Sequence, residues 1–303
     1  MIWLIGNKGM LGSEVEVLLR ESEMQVACTD RDVDITNAEA IGRFLESLNP
    51  FPPQWIINCA AYTAVDRAED ESEFAFAVNA AGPLNLAYAA RATGATLVHI
   101  STDYVFNGEK EQDYDEEDAT DPINAYGKSK LQGEVSIRET LSRYYIIRTA
   151  WLYGKNGKNF VNTMLKLFQE RRNVKVVCDQ FGNPTYAADL ARFVIAIISP
   201  RPAQNYGVYH YTNEGRTSWY DFAKSIHEET TALGKLNLEV EIAPVMTSEY
   251  PTRAKRPRSS CLSKEKAKRE LEVSIRGWRD ALRSYLKLQV ESAGCGVRPG
   301  DLR

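Results

Sequence analysis

The stretch Ile2-Trp-Leu-Ile-Gly-Asn-Lys-Gly-Met-Leu-Gly12 decides the fold of this 303-residue chain. Four apolar residues lead directly into a turn with glycines at positions 6, 9 and 12, and an amphipathic helical pattern follows over Ser13–Glu21. Such a turn lets backbone N–H groups and a helix N-terminus approach a pyrophosphate, because the helix dipole favours negative charge there. The stretch therefore predicts a strand, a phosphate-binding turn and a helix, which together open a dinucleotide-binding fold.

Short apolar runs continue to alternate with longer helical patterns as far as Arg148. The runs are apolar throughout, which is typical of parallel strands that helices cover on both faces. The predicted strands are Ile2–Ile5, Gln25–Thr29, Trp55–Asn58, Thr96–Ser101 and Tyr145–Arg148, and the predicted helices between them are Ser13–Glu21, Ala38–Leu48, Glu71–Thr93 and Ala125–Leu141. This order predicts an α/β fold with a doubly wound parallel sheet of the Rossmann type.

After Trp151 the pattern loosens and predicts a second, smaller α+β substrate domain. The predicted elements there are helices at Phe160–Arg171, Asp189–Ile198, Ser218–Thr230 and around 277–288, and strands at Val174–Cys178 and Gly207–Tyr211. Pro244, Pro251 and Pro257 argue against regular elements between residues 237 and 276. We therefore assign residues 1–150 and about 186–214 to the dinucleotide-binding domain, about 151–185 and 215–291 to the substrate domain, and 292–303 to a disordered tail.

Composition excludes several classes of protein. The formal net charge of -4 argues against a nucleic-acid partner, which requires clustered positive charge. The apolar run at the N-terminus is too short for a signal peptide, and no run reaches the roughly 18 apolar residues of a membrane span. These features predict a cytoplasmic protein with no membrane partner. The five cysteines are scattered, which suggests neither a disulfide framework nor a zinc site.

Charged residues near the predicted strand ends complete a cofactor site. Asp30 lies eighteen residues beyond Gly12, where a carboxylate would bind the hydroxyls of an adenosine ribose. Arg31 and Lys8 could instead bind a 2′-phosphate, so the choice between NADH and NADPH stays open. Asp34 either contacts the cofactor or caps the next helix. The predicted cofactor-binding residues are Gly6, Gly9, Met10, Leu11, Gly12, Asp30, Arg31, Asp34, Ile35, Ala61, Tyr62, Thr63, Tyr126 and Lys130.

The run Tyr126-Gly-Lys-Ser-Lys130 places a phenol and an ammonium on one face of a helix. A phenol has a pKa near 10 and works as an acid–base group only when a neighbouring cation stabilises its phenolate. Thr102 follows the fourth predicted strand, so its hydroxyl would emerge at the same sheet edge and could bind a carbonyl oxygen. Together with the glycine turn, Thr102, Tyr126 and Lys130 predict a nicotinamide-dependent reductase whose proton donor is Tyr126.

Further runs make the likeness to a known family specific. They extend from Gly6 to Leu262 and comprise the glycine turn, Asn58-Cys-Ala-Ala-Tyr-Thr-Ala-Val-Asp66, Ser101-Thr-Asp-Tyr-Val-Phe-Asn-Gly108, Tyr126-Gly-Lys-Ser-Lys130, Arg148-Thr-Ala-Trp-Leu-Tyr153, Asp179-Gln-Phe-Gly-Asn-Pro-Thr185 and Arg256-Pro with Ser260 and Leu262. With these motifs the chain resembles the dTDP-4-dehydrorhamnose reductase family of the extended short-chain dehydrogenases/reductases.

The resemblance implies a reaction and a role for each matching residue. The C4 ketone of dTDP-4-dehydro-β-L-rhamnose would be reduced to dTDP-β-L-rhamnose with hydride from NADPH or NADH. Tyr126 would protonate the developing alkoxide, Lys130 would lower the pKa of Tyr126 and hold the nicotinamide ribose, and Thr102 would steady the oxygen. The implied substrate contacts are Thr102, Asp103, Tyr126, Trp151, whose indole would stack on the hexose, and Arg256, which would bind the pyrophosphate.

Several alternatives stay open on the same residues. A nucleotide-sugar dehydratase carries Glu directly after the Thr-Asp pair, whereas Tyr104 stands here and argues against elimination of water. Another nucleotide-sugar 4-ketoreductase, or a non-catalytic NADP-binding regulatory subunit resembling the methionine adenosyltransferase β subunit, would share the cofactor motifs. Some members of the resembled family form homodimers through Mg²⁺ held by acidic side chains. Glu14 matches one such position, but Ala188 stands where a second carboxylate is expected.

Overall fold

The computed structural model describes residues 1–199, 205–234 and 239–294. Its first 150 residues alternate strands with helices, much as the sequence predicts. The elements are β1 (Ile2–Ile5), α1 (Met10–Glu21), β2 (Val26–Thr29), α2 (Ala38–Ser47), β3 (Trp55–Asn58), α3 (Ser72–Phe76), α4 (Gly82–Thr93), β4 (Thr96–Thr102), α5 (Ala125–Thr140) and β5 (Tyr144–Thr149).

The remainder of the chain contains shorter strands and five helices among the described residues. These are β6 (Leu152–Tyr153), α6 (Phe160–Glu170), β7 (Asn173–Val177), β8 (Phe181–Gly182), β9 (Thr185–Tyr186), α7 (Ala187–Ile198), β10 (Gly207–His210), β11 (Thr217–Ser218), α8 (Trp219–Ala232), β12 (Glu241–Val245), α9 (Glu265–Leu271) and α10 (Trp278–Gly294).

Six of the strands form one parallel sheet in the order β2-β1-β3-β4-β5-β10. The chain winds outward from β1 through β2, and then returns to continue on the other side of β1 with β3. Ligands of such sheets bind in the crevice at the carboxyl ends of the strands where the winding reverses. The sheet confirms the predicted doubly wound α/β fold and places this crevice beside β1 and β3.

The apolar strands are explained by packing on both faces of the sheet. In β1, Ile2 and Leu4 join a core cluster that includes α1 and α7, whereas Trp3 and Ile5 join a cluster on α2 and α4. Successive side chains of a strand point to opposite faces, so both sets must be apolar. The uninterrupted hydrophobicity of the opening stretch therefore follows from helices on both sides of it.

The single helix predicted over Glu71–Thr93 is wrong. The structure contains α3, a π-helical turn at Ala77–Ala81, and α4. The side chain of Asn79 in the π-helical turn binds the backbone of Tyr62 and the hydroxyl of Ser129. A π-helical turn adds a residue to the helical repeat and is frequent at functional sites. Tertiary hydrogen bonds thus interrupt a helix whose hydrophobic pattern is continuous.

The expectation of no regular elements between residues 237 and 276 is also wrong. Strand β12 pairs in parallel with β7, although it contains Pro244, and helix α9 follows. The N–H of Glu241 donates to Arg172, and the carbonyl of Val245 accepts from Cys178. The backbone N–H and C=O groups of alternate residues in a strand point toward the same neighbouring strand. The backbone nitrogen of Pro244 therefore points away from β7, where no N–H is required.

A second core lies outside the large sheet. It is formed by apolar side chains of α6, α8 and α10, with Phe168, Phe222 and Tyr285 almost fully buried. The division into two domains with the boundaries given above stays a prediction. Helix α10 continues to Gly294 and so takes in residues 292–294 of the predicted tail, while residues 295–303 lie outside the described residues. The disorder of the tail stays a prediction. No helix in the described ranges is long and apolar enough to cross a membrane.

Candidate active site

A cleft of about 730 Å³ opens at the carboxyl ends of β1, β2 and β3. Many of its walls come from residues that the sequence assigns to the cofactor. The residues from that set that line the cleft are Gly6, Gly9, Asp30, Arg31, Asp34, Ile35, Ala61 and Tyr62. The fold therefore gathers most of the predicted cofactor-binding residues around one cavity.

The glycine turn has no room for a side chain at Gly6 or Gly12. Gly6 has φ +76°, and a Cβ on Gly12 would lie 2.1 Å from the Gly6 carbonyl oxygen. Gly9 is the N-cap of α1, and no side chain in the described part of the molecule caps this helix. The N–H groups of a first helical turn lack intrahelical partners and are the usual donors to a bound phosphate. This narrow, uncapped turn fits the pyrophosphate of a dinucleotide.

Of the other predicted cofactor residues, Met10, Leu11 and Thr63 have side chains that face away from the cleft or lie outside its lining. The Leu11 side chain packs in the core, and the Met10 side chain lies against Gly154. These two residues would therefore contact a ligand through their backbone. Ile35 is 5% exposed and packs against Gly82. Thr63 is exposed on the loop after β3.

The acidic residues after β2 are organised by local hydrogen bonds. The backbone N–H of Asp30 donates to the Asp32 carboxylate at 2.7 Å. The Asp34 carboxylate accepts from both the N–H and the hydroxyl of Thr36. Asn37, and not Asp34, caps α2 by accepting from two backbone N–H groups of its first turn. The alternative that Asp34 caps the helix is therefore wrong, and Asp34 stays at the cleft.

The predicted catalytic side chains come together where β4 ends and α5 begins. Asn124 caps α5 through the Gly127 N–H, which places Tyr126 in the first turn. A Cβ on Gly127 would lie 2.2 Å from the Tyr104 carbonyl oxygen, so glycine lets α5 approach the turn after Thr102. Burial raises the pKa of Tyr126 to about 12, and a hydrogen bond with the Thr102 hydroxyl opposes that rise. The phenol therefore keeps its proton at neutral pH.

Lys130 is buried on the same helix and faces β4. Its Nζ donates to the Ile100 carbonyl at 2.6 Å and lies 3.2 Å from Nε2 of His99. Burial lowers the pKa of Lys130 to about 8, while the nearby Glu134 and Cys59 act in the opposite direction. The carboxylate of Glu134 is held by a buried ion pair with Arg148. Lys130 thus lies close to a change of charge near physiological pH.

Asp103 links the hydroxyl of Thr102 to the hydroxyl of Ser260, which lies in the segment between β12 and α9. Thr102 donates to one carboxylate oxygen at 3.0 Å, and Ser260 donates to the other at 2.5 Å. Burial raises the pKa of Asp103 to about 6, more than the two hydroxyl donors lower it. Ser260 is therefore bonded to the predicted substrate contact Asp103, a partnership that the sequence does not predict.

Trp151 takes up a backbone conformation that is uncommon for a large residue, with φ +47°. Its indole stacks on Trp219 with ring centroids 3.4 Å apart. A Cβ on Gly182 would lie 2.4 Å from the indole of Trp151. Glycine at this position of the Asp-Gln-Phe-Gly run therefore leaves space for that indole. The predicted sugar-stacking residue is therefore already stacked on another tryptophan.

Arg256, the predicted pyrophosphate ligand, is paired within the protein. Its guanidinium binds the Asp66 carboxylate through two nitrogens, the shorter contact being 2.7 Å, and it also donates to the Ala254 carbonyl. Arg256 lines a cavity of about 310 Å³ together with Trp219 and Tyr250. A pyrophosphate at Arg256 would therefore share the guanidinium with Asp66 or displace it.

The remaining carboxylate, Glu14, has basic neighbours. Burial raises the pKa of Glu14, and the charges of Lys155 and Arg192 oppose this. No group of three or more His, Cys, Asp or Glu residues that could hold a metal occurs within the described residues. The magnesium site and the homodimer stay open questions for this chain.

Three buried polar residues of the site were missed by sequence reasoning. They are Asn58 at the end of β3, His99 within β4, and Asn79 in the π-helical turn, and each is at most 1% exposed. The available signal was a polar residue inside an otherwise apolar run, since such residues are buried only with hydrogen-bond partners. The partners themselves lie up to 50 residues away and are not visible in the pattern.

Comparison with known proteins extends these observations. The model of the RmlD substrate binding domain family matches residues 1–290. The spore coat polysaccharide biosynthesis protein SpsK of Bacillus subtilis is 41% identical, over 97% of this chain and 99% of that protein. The dTDP-4-dehydrorhamnose reductase of Escherichia coli is 38% identical, over 94% and 96%.

Solved structures agree with the sequence relatives. A dTDP-4-dehydrorhamnose reductase from Clostridium acetobutylicum has a TM-score of 0.89 and 42% identity, covering 95% of this chain and 99% of that one. One from Bacillus anthracis in complex with NADP has a TM-score of 0.87 and 38% identity, covering 95% and 98%. The chain belongs to the RmlD family, the family of the dTDP-4-dehydrorhamnose reductases.

Proposed function

We propose that the chain reduces the C4 ketone of dTDP-4-dehydro-β-L-rhamnose to dTDP-β-L-rhamnose with NADPH or NADH. The observation that carries the proposal is the hydrogen bond between Thr102 and Tyr126, with Tyr126 packed in one cluster with Tyr62, which lines the cleft at the glycine turn. Relatives with this name, and an NADP complex of one of them, support the same substrate and cofactor. The protein would act as a cytoplasmic biosynthetic enzyme on a nucleotide sugar.

In this proposal each residue performs a defined part of the reaction. The nicotinamide supplies the hydride for C4. Tyr126 donates its phenolic proton to the oxygen of the ketone, and the Thr102 hydroxyl steadies that oxygen. In the free protein Asp103 accepts the hydroxyl proton of Thr102 and so holds that side chain in place. When the substrate binds, the Thr102 hydroxyl turns from Asp103 to donate to the ketone oxygen. Trp151 and Arg256 are proposed to contact the hexose and the pyrophosphate after exchanging their present partners.

Tyr104 supports reduction over elimination. Its ring packs edge-on against Tyr126 with centroids 5.8 Å apart, and burial raises its pKa. A buried phenol with a raised pKa stays neutral and is a poor base for removing a proton from a sugar carbon. The site therefore lacks a carboxylate at the position where the related dehydratases carry one.

The test is loss of nicotinamide absorbance when purified protein receives dTDP-4-dehydro-β-L-rhamnose and NADPH or NADH. Tyr126→Phe keeps the ring and removes the proton, so turnover should fall by about 10²–10⁴-fold while cofactor affinity changes little. A regulatory subunit would bind the cofactor without turnover. Absence of turnover with either cofactor would refute the proposed reaction.

A further inference from the structure

Ser260 is held in place by backbone hydrogen bonds to two different parts of the chain. Its own N–H donates to the Phe181 carbonyl of β8 at 2.9 Å, and the carbonyl of the next residue, Cys261, accepts from the Tyr114 N–H at 2.8 Å. Tyr114 belongs to the long loop between β4 and α5. The segment that carries Ser260 is therefore fixed between this loop and β8.

The loop approaches the segment closely at Gly108. This residue has φ +86°, and a Cβ there would lie 2.7 Å from the backbone nitrogen of Arg258. The Gly108 carbonyl accepts from the Ser259 N–H at 3.2 Å. In the same loop the Tyr114 ring is 4% exposed and stacks on Phe106 with ring centroids 4.1 Å apart. The segment is thus attached to a well-packed frame, which gives its side chains defined positions.

The hydroxyl of Ser260 meets the Asp103 carboxylate just after β4. Ser260 donates to Oδ2 at 2.5 Å, and Thr102 donates to Oδ1 at 3.0 Å. The exposed fractions are 2% for Ser260, 3% for Asp103 and 5% for Thr102, so hydroxyls of the protein take the place of water around the carboxylate. Thr102 also makes a hydrogen bond with Tyr126. A chain of three hydrogen bonds therefore connects Ser260 to the proton donor of the proposed reaction.

We propose that Ser260 is a positioning residue of the active site: it holds the Asp103 carboxylate at the place where that carboxylate sets the Thr102 hydroxyl beside Tyr126. When Thr102 turns to the ketone oxygen, the bond from Ser260 keeps Asp103 in position for its predicted contact with the hexose. This role rests on the proposed reduction. The bond between Ser260 and Asp103 is a property of the free protein and can be tested without any reaction.

The bond from Ser260 also governs the charge of Asp103. Burial raises the pKa of Asp103 to about 6, and the hydrogen bond from Ser260 is the largest of the effects that oppose this rise. A carboxylate accepts at both oxygens, whereas a protonated carboxyl group donates at one of them. The ionised form is therefore the one that accepts strongly from both Ser260 and Thr102.

The other titratable groups around Asp103 are neutral or already paired. Tyr104 follows it in the turn after β4, and Tyr126 lies on α5. Burial raises the pKa of both phenols, so they carry no charge at neutral pH. The charges of Arg256 and Asp66 act on Tyr104, and these two residues form an ion pair with each other. The ionisation of Asp103 therefore depends mainly on its hydroxyl donors.

Ser260→Ala removes the hydroxyl and keeps the backbone bonds. We expect kcat for dTDP-4-dehydro-β-L-rhamnose to fall by about tenfold, as for loss of a hydrogen bond to a charged group, while the KM for the nicotinamide cofactor stays the same. The acid limb of the kcat profile should move up by about one pH unit, because Asp103 then ionises at a higher pH. Steady-state assays across the pH range of activity measure both effects.

Ser259→Ala is the matched control. Ser259 is 4% exposed, its hydroxyl lies beside the Cys261 thiol, and neither hydroxyl bond to the Asp103 carboxylate comes from it. Alanine keeps the backbone bond to Gly108, so kcat and the acid limb should stay as in the native protein. An equal loss of kcat in both variants, or an acid limb that stays in place in Ser260→Ala, would overturn the proposal.

The pH dependence of stability tests the bond without turnover. Because the pKa of Asp103 is higher in the folded protein than in the unfolded chain, its contribution to stability is lost as the pH rises through about 6. Ser260→Ala raises this pKa further, so the variant should lose stability relative to the native protein between about pH 4.5 and pH 8, whereas Ser259→Ala should keep a constant difference. Urea titrations measure this. A constant difference for Ser260→Ala as well would refute the bond, and absence of turnover in the native protein would refute the proposed function while leaving this measurement decisive for the bond.

Discussion

Asp103 is the residue whose charge should couple the stability of this protein to pH. It is 3% exposed, and burial raises its pKa from 3.8 to about 6. The folded protein therefore binds this proton more tightly than the unfolded chain. Asp103 contributes stability below about pH 4 that is lost as the pH rises through about 6, and a shift of two units is worth roughly 3 kcal/mol.

Asp103→Asn removes this titration. The free energy of unfolding of the variant, relative to the native protein, should rise by roughly 2 kcal/mol between pH 4.5 and pH 7. Urea titrations at both pH values measure it, and only the change with pH matters, because the amide also alters the bonds from Ser260 and Thr102. A difference that does not vary with pH would contradict the raised pKa.

At the scale of elements, the contact of α5 with the π-helical turn depends on Gly133. A Cβ there would lie 2.2 Å from the Asn79 carbonyl oxygen and 3.3 Å from Pro83. Gly133→Ala should therefore lower the free energy of unfolding by about 1–3 kcal/mol, as overpacking does. Turnover should fall too, because Asn79 ties the loop after β3 to α5 through Tyr62 and Ser129.

Gly42→Ala is the matched control in a helix. Apart from the backbone of α2 itself and the two neighbours of Gly42, no atom of the described residues lies within 4 Å of a Cβ on Gly42. Alanine should therefore raise the free energy of unfolding by about 0.5–1 kcal/mol through its better helix propensity. Urea unfolding and the reductase assay compare the two variants. Equal effects of both substitutions would show that the close approach of α5 is not what constrains Gly133.

At the scale of the whole molecule, Asp189 joins the large sheet's helices to the C-terminal part of the chain. Its carboxylate, in α7, accepts two hydrogen bonds from Arg276, which lies just before α10, and one from Asn213. The carboxylate is 7% exposed and the Arg276 side chain 37%. Arg276→Met should lower the free energy of unfolding by about 1–3 kcal/mol, less than for a fully buried pair.

Arg192→Met tests the same carboxylate from its exposed side. The Arg192 side chain is 64% exposed and binds Asp189 from within α7, so its loss should change the free energy of unfolding by less than about 0.5 kcal/mol. Both values come from urea titrations at one pH. A loss at Arg192 as large as that at Arg276 would mean that net charge, and not the long-range pair, stabilises this junction.

The sequence by itself determined the doubly wound parallel architecture and most of the predicted cofactor residues that line the cleft. These features follow from local causes: β1 is apolar because both faces are covered, and Gly6 and Gly12 are required by a turn only a few residues long. The Tyr126 and Lys130 pair was equally visible, because four residues make one turn of a helix.

Only the tertiary structure decided how the polar groups are partnered. Asn58 meets His99 across 41 residues, Trp151 meets Trp219 across 68, and Arg256 meets Asp66 across 190. No periodicity in the sequence encodes such pairs, since they depend on which strand ends and loops the fold brings together. The physical reason is that burial makes a polar group without a partner costly, while the identity of that partner is a property of the whole fold.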